Sequence, residues 1–444
     1  MNIFNHYNNA NIIVNNEFIF DPWLYGSLYK NSWFPYGEKT LKKNRLKKIK
    51  YCFISHLHQD HWDIDTIKYF PKSTIFIIPK LPVNKIIEIQ LKKLNFKNIV
   101  YAPIKKFIKI DSKYSISVVR PLNNEGLETK NIIYKDDGLE IDNGCILKIN
   151  NDNSHHLFLS DNCPYNIKGF IKDYQKIKIN SLFFPFNGYA SDYPFCYDNF
   201  SLKEKKKISN EKNNKLQIKL FKFFKVIKPD LLIPYSSQFT LKNKSEKIFN
   251  QVIDKKFLDP KQYSDYFKKK FKIQNISYLK PELSLHIKKN HYKIKSDNQK
   301  NITDFNIKKA KYNFPQLNSK YKINDLAKDL NISINLFIER IKKNKLSINK
   351  INQTAFFILI KNINKIYYIN LKELVCEEFK GKKNSIKNKF KNSLILKTDL
   401  NIIGSILNRK LHMNNCIIGC WFNWERNPNF YNSELDFALN FLHK

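Results

Sequence analysis

The sequence predicts an α/β fold, and three observations carry that prediction. Residues 1 to about 290 alternate short β-rich runs with helical stretches, the punctuation of strands layered against helices. The run Tyr51 to Ser55 is apolar throughout and stops at a cluster of polar residues, as a buried strand does when it delivers its last residues to a sheet edge. A chain of 444 residues that is 42% hydrophobic and 14% aromatic has ample material for a core and for two or three domains.

The expected strands of the first part are Asn11 to Ile19, Tyr51 to Ser55, Ser73 to Ile78, Ile99 to Ala102, Tyr114 to Val119, Cys145 to Ile149, Leu157 to Ser160, Ser181 to Phe184 and Leu231 to Pro234. Helical periodicity covers Val83 to Leu94 and Leu216 to Ile227. The lysine-rich tract Lys203 to Lys215 reads as a mobile loop or an exposed helix start. A polar, low-complexity segment from Ile294 to Lys320 reads as a linker, so residues 1–290 form one domain, 291–320 a connection and 321–444 a second, smaller α+β domain. There Ile323 to Ser333 and Leu336 to Lys343 are amphipathic helices, and Ala355 to Ile360 and Lys365 to Leu371 alternate as a hairpin. Ser393 to Thr398 continues the sheet, and a helix restarts with Asp399 or Thr398 near its N-cap.

Histidine is scarce, ten in the chain, yet His56, His58 and His61 fall within six positions and bracket Asp60. Two histidines two apart in an extended segment project to the same side and can grip one cation. Asp60 and His61, past the turn, can hold a second cation or orient the first.

The spacing His-X-His-X-Asp-His at 56–61 resembles the signature of the metallo-β-lactamase superfamily. Phe18-Ile-Phe-Asp21-Pro22-Trp23 resembles the strand and turn before that motif, and His156-Leu-Phe-Leu-Ser160-Asp161 the later strand that ends in a metal-bridging aspartate. Leu182 to Tyr197 and Lys228 to Ser237 are similar to the branch that holds the CMP-N-acetylneuraminate hydroxylases and, more distantly, the ascorbate-6-phosphate lactonases. The resemblance implies an αββα sandwich with its pocket at one edge of the two sheets, and His56, His58, Asp60, His61 and Asp161 as metal ligands. The order of elements in 321–444 loosely resembles the sterol-carrier-like modules attached to some superfamily members.

The chain also departs from that pattern. No histidine lies between His61 and His155, or between His156 and His286, so the slots for two further imidazole ligands are empty. Asp136 and Asp137 stand where the hydroxylase branch carries an acidic pair, as oxygen ligands, substrate contacts or a plain turn. Oxygen ligands in place of imidazole shift preference from zinc towards manganese or iron. His155 and His156 precede their strand and are expected at its far end.

Composition narrows the partners. The formal charge of +39 suggests an anionic partner, but only five basic residues are arginine, at 45, 120, 340, 409 and 426. Nucleic-acid sites favour arginine for bidentate contacts, so lysine spread over every face points instead to small anionic substrates drawn in by steering. Seven scattered cysteines with no Cys-X-X-Cys pair suggest a reducing compartment. With neither a signal-peptide pattern nor a run of about 18 apolar residues, the expectation is a cytoplasmic protein with no membrane contact.

The expected activity is a metal-dependent hydrolase. One or two divalent ions, with zinc favoured over manganese or iron, would activate water against a sugar acid, lactone or nucleotide-activated sugar. Asp60 is the candidate proton acceptor; Asn187, Tyr193, Tyr235, Ser236 and Ser237 are candidates for holding substrate. Leu411-His412-Met413-Asn414-Asn415 and Trp421 to Pro428 gather aromatics, an amide pair and Arg426, which either reaches an anionic substrate or pairs with a carboxylate inside an aromatic core. A non-haem iron oxygenase component with an electron donor in trans is the alternative, and a nucleic-acid-binding or nuclease protein a further one.

Overall fold

The computed structural model describes residues 1–81, 84–122, 142–189, 192–288, 291–305, 321–343, 346–373 and 375–444. Two sheets stack face to face. The first has eight strands in the spatial order His291–Lys295, Ser284–Lys288, Asn2–His6, Ile12–Val14, Phe18–Phe20, Tyr51–Phe53, Ile75–Pro79 and Ile99–Ala102. The second has six, in the order Leu231–Tyr235, Ser181–Pro185, Ser154–Phe158, Gly144–Ile149, Tyr114–Val119 and Ile108–Lys109.

Period-2 alternation sorts their side chains into layers. Phe18, Phe20 and Phe53 point between the sheets, where they meet Phe158, Phe183 and Tyr235, with the Phe20 and Phe158 rings stacked at 4.2 Å. Ile19 and Cys52 point the other way, onto Leu46, Ile67, Ile87 and Leu91. On the second sheet Leu157, Leu182, Phe184 and Leu232 face outward onto Phe170, Leu220, Phe223, Phe224, Tyr263 and Phe267 of three helices. Helices therefore cover both outer faces. Strands buried on both sides read as unbroken apolar runs, which is why their positions were legible.

Where the structure differs from expectation, local chemistry explains it. Asn11 to Ile19 is two strands, because Asn15 and Asn16 adopt φ of 52° and 60° and turn the chain back; asparagine tolerates that conformation better than most residues. The tract Lys203 to Lys215 belongs to one long helix, Leu202–Ile227, opened by a capping box between Ser201 and Glu204. Its first half is no solvated arm. Lys205, Asn213 and Gln217 bond Phe195 O, Gly188 N and Phe186 O at 2.8, 3.0 and 3.0 Å, so a polar face docks the segment that follows Ser181–Pro185. Of the expected linker, residues 291–305 carry two strands: His291–Lys295 pairs with Ser284–Lys288, and Ile302–Asp304 with Lys39–Leu41.

The C-terminal part is built on a five-stranded sheet, Val375–Glu378, Lys365–Asn370, Ala355–Ile360, Ser393–Thr398 and Asn423–Asn427. The two helices expected at its start are one, Ile323–Lys343, since no glycine or proline interrupts it. Its core is continuous with the outer layer of the second sheet: one cluster of buried residues runs from Trp23 through Leu220 to Leu442. The edge strand also bonds the first part directly, with Trp424 N–H on Cys196 O and Asp198 N–H on Trp424 O, both at 2.8 Å. Among the described residues, no helix is long and apolar enough to cross a membrane.

Candidate metal centre

Strand ends from both sheets converge on one edge. Phe18–Phe20, Tyr51–Phe53 and Ile75–Pro79 run parallel, which brings Asp21 beside Ser55 and His56 just past their C-terminal ends. From the other sheet, Ser154–Phe158 and Leu231–Tyr235 bring Ser160, Asp161, Ser236 and Ser237. Gly144–Ile149 runs antiparallel to Ser154–Phe158, so its N-terminal end places Asp142 at the same edge. Gly144 allows that approach: a Cβ there would sit 2.7 Å from Phe158 O. Asp21, Ser160, Ser236 and Ser237 all have φ between 42° and 61°, a left-handed conformation costly for non-glycine residues and concentrated at functional sites.

Three imidazoles meet here with one nitrogen inward and the other held. His56 Nδ1 lies 2.9 Å from Ser55 Oγ, leaving Nε2 to face His58 Nδ1 at 3.0 Å and Asp142 Oδ1 at 3.7 Å. His61 Nδ1 rests on Ser160 Oγ at 3.0 Å and Asp21 Oδ2 at 3.1 Å, and its Nε2 faces Asp161 Oδ2 at 3.1 Å and Asp60 Oδ2 at 3.2 Å. His58 Nε2, pointing away, meets the amide of Asn414 at 3.3 Å. Fixing the outer nitrogen is how proteins orient imidazole ligands.

Two overlapping sets result. His56, His58 and Asp142, and likewise His56, His61 and Asp161, bring ligand atoms within 4.8 Å of one another. A divalent cation fits them on two counts. Asp161 Oδ1 is buried with no hydrogen-bond partner, and Asp60, Asp161 and Asp21 crowd one imidazole. Burial alone would depress the His61 pKa, but those carboxylates hold it well above the usual value. Burial would raise the Asp60 pKa, yet contact with His61 holds it low. His56 is pushed well below the ordinary range by burial, His61 and His58, which favours the neutral form a ligand needs.

Of the expected ligands, His56, His58, His61 and Asp161 stand together in these sets. Asp60 lies beside them, its Oδ1 accepting from Tyr29 OH at 2.8 Å and its Oδ2 from Asn9 Nδ2 at 2.9 Å. Asp142 is a residue the sequence reading missed. Its place two residues before Gly144–Ile149 becomes informative only once that strand is paired with Ser154–Phe158. Asp136 and Asp137, chosen instead, lie outside the described residues. His156 sits between the sheets against Phe4, ring centroids 4.7 Å apart, away from the centre.

A cavity of about 280 Å³ opens over the cluster, lined by His58, Asp60, Asp142 and Asp161 and by Tyr165, Asn187, Lys212 and Ser237. Among the described residues lining it, Lys212 is the one lysine. Its ammonium donates to Tyr193 O at 3.1 Å, and burial lowers its pKa to about 8 against the pull of Asp192 and Cys163. Sequence reading passed over it within a lysine-rich tract.

The other expected substrate contacts are placed differently. Asn187 and Ser237 line the cavity, with the Asn187 amide spent on Ser237 O and Phe257 O at 2.8 and 2.7 Å. Tyr235 and Ser236 are buried beneath it: the Tyr235 hydroxyl accepts from Ser160 N–H at 2.6 Å, and Ser236 Oγ donates to Ser160 O at 3.0 Å. They shape the turn that carries Asp161. Arg426 and Tyr193 are not among the residues lining the cavity. The guanidinium lies over the rings of Tyr193, Tyr197 and Tyr431 at 5.1, 4.8 and 5.3 Å and donates to Tyr197 OH at 2.8 Å, because aromatic faces and a hydroxyl satisfy a cation inside this packed interface.

No family model matches the chain. Over 80 residues, 18% of its length, it is 35% identical to a Mycolicibacterium smegmatis protein named for a Rieske 2Fe-2S iron-sulfur centre, and the match covers 15% of that protein. Two Mycobacterium tuberculosis proteins with such names match at 33% over 78 residues, again 15% of their length. Among solved structures it is similar to a "possible metal-dependent hydrolase" from Veillonella parvula, with TM-score 0.40, 11% identity, and 66% of this chain and 98% of that one covered. CmlA, a diiron β-hydroxylase from Streptomyces venezuelae, gives 0.40 and 13%, over 63% and 53% of the two chains. The isothiocyanate hydrolase from Delia radicum gut bacteria gives 0.41 and 14%, over 66% and 99%.

Proposed function

We propose that this chain is a metal-dependent hydrolase of the metallo-β-lactamase type, acting on a small anionic substrate. The convergence of His56, His58, His61, Asp142 and Asp161 on one cavity is the observation that carries the reading. One or two divalent cations held there would lower the pKa of a bound water towards roughly 7 and polarise a carbonyl or phosphoryl oxygen.

The chain's own groups do the rest. Asp60 is held by Tyr29 and Asn9 with Oδ2 turned to the cluster and takes the proton of the attacking water. Lys212, on the cavity wall, binds the substrate's carboxylate or phosphate and orients it. A cavity near 280 Å³ suits a sugar acid or lactone better than a nucleotide-activated sugar.

One observation favours a second reading. His56, His58 and Asp142 form a two-histidine, one-carboxylate set, the donor combination of non-haem iron oxygenases; such an activity would draw electrons from a donor in trans. Metal analysis of purified protein with a lactone and phosphate-ester panel, run with and without oxygen, separates the two. Zinc or manganese with oxygen-independent hydrolysis supports the hydrolase. Iron with oxygen-dependent turnover replaces it with the oxygenase, and protein that binds no metal sinks both.

A further inference from the structure

Each inward-facing histidine has its outer nitrogen held, but not by the same part of the chain. Ser55 holds His56, and Ser160 with Asp21 holds His61; all three belong to the two stacked sheets. Among the described residues, Asn414 makes that contact with His58, more than 350 positions away, on the short C-terminal helix Met413–Ile418.

That helix is anchored over the ligand loop at several points. Trp33 Nε1 donates to Ile418 O at 3.1 Å, Trp421 Nε1 to Tyr29 O at 3.1 Å, and Asn243 Nδ2 to Gly419 O at 2.8 Å. Ile418 lines the cavity itself. Tyr29, fixed at its carbonyl by Trp421, holds Asp60 through its hydroxyl.

We infer that the C-terminal part is a positioning element of the metal centre, with Asn414 orienting His58. The inference rests on the metal-centre reading above. When His58 Nδ1 faces a cation, its Nε2 carries the proton and needs an acceptor. Asn414 Nδ2 stands nearest, 3.3 Å from His58 Nε2; since the oxygen and nitrogen of an amide are told apart by the hydrogen-bond network alone, a half-turn of the amide brings Oδ1 to that proton. A ring tethered this way loses less freedom on binding the ion, and affinity rises.

The test is Co²⁺ and Zn²⁺ affinity of the full-length protein, measured by chelator competition for wild type, Asn414→Leu, Asn414→Asp and His58→Ala, together with the melting temperature of each metal-stripped protein. Expected is a loss of roughly 10–100-fold in affinity for Asn414→Leu, recovery in Asn414→Asp, whose carboxylate accepts the same proton, and little change in the metal-free melting temperature. Asn414→Leu binding as tightly as wild type, while His58→Ala binds weakly, overturns the positioning role and leaves the metal centre standing. His58→Ala binding as tightly as wild type removes His58 from the ligands and the positioning role with it, and wild-type protein that binds neither ion overturns the metal centre itself. Should Asn414→Leu fail to fold, Asn414→Ser decides on the same criterion, and the Co²⁺ absorption spectrum of Asn414→Asp reports whether the ligand field at His58 changes.

Discussion

Asp21 Oδ2 lies 3.1 Å from His61 Nδ1, and the same carboxylate collects the Ser55 N–H at 2.7 Å, the Ser55 hydroxyl at 2.9 Å and the Ser160 hydroxyl at 2.6 Å. One buried aspartate from the first sheet thereby fixes a residue of the second and a candidate ligand at once. Hydrogen bonds to a buried charge contribute about 1.5–3 kcal/mol each when a partner is lost. Asp21→Ala is expected to lower stability by about 3 kcal/mol or more, read as a fall in the urea midpoint at unchanged m, and to weaken cation binding along with it. Unchanged stability would mean the carboxylate is not the anchor the distances describe.

Asp142 gives a prediction about the kind of ion the first set would prefer. Asp142→His replaces a hard oxygen by imidazole and is expected to enrich zinc over iron and manganese in protein purified from the same medium. Asp142→Ala is expected to lower bound metal per chain. Elemental analysis of the two variants beside wild type checks both, and identical metal content in all three would remove Asp142 from the centre.

Lys212 gives a kinetic prediction. If Lys212 binds the substrate's anionic group in ground and transition states alike, replacing it with Met should raise KM for an anionic substrate by roughly 10-fold or more while kcat changes little. Inhibition by inorganic phosphate should weaken by a similar factor. Lys212→Arg is expected to keep most of the affinity, and a fall in kcat alone would place Lys212 in the chemistry rather than in binding.

His156 predicts acid sensitivity. Its ring is buried between Ser154 Oγ at 2.9 Å and Ser181 Oγ at 2.7 Å, and burial lowers its pKa from 6.5 to about 3. A histidine depressed in the folded state binds its proton more readily when unfolded, so its contribution is fully present above pH 6.5 and is lost as pH falls towards 3. The slope is about 1.4 kcal/mol per pH unit within that window. Denaturation at pH 7, 6, 5 and 4 should show this loss in wild type, and a shallower one in His156→Gln.

Much of this architecture was legible because its cause is local. Tyr114–Val119, Ile99–Ala102 and Ser393–Thr398 fall where the β-rich runs put them, since each is dense in the branched and aromatic residues that a pleated surface packs well. The histidines at 56, 58 and 61 stood out because the residue is rare in this chain. What escaped depends on pairing between distant segments. Nothing near Asp142 says that its strand starts where Phe158 ends, nothing in a lysine-rich tract marks Lys212 as the one facing a cavity, and Arg426 looked available only because its three tyrosines come from two separated stretches.

The two halves of the candidate centre are mounted on different sheets, Ser55, His56 and His61 on one and Ser160 and Asp161 on the other, and Ser55 Oγ touches Ser160 Oγ at 3.0 Å across the gap. The spacing of the ligands is therefore a gauge of the spacing of the sheets. Packing between Phe20, Phe158 and Phe183 sets the sheet separation across which His61 and Asp161 face each other. On the metal-centre reading, trimming one of those rings would retune the grip on an ion without touching it, and metal preference would be partly a property of the hydrophobic core.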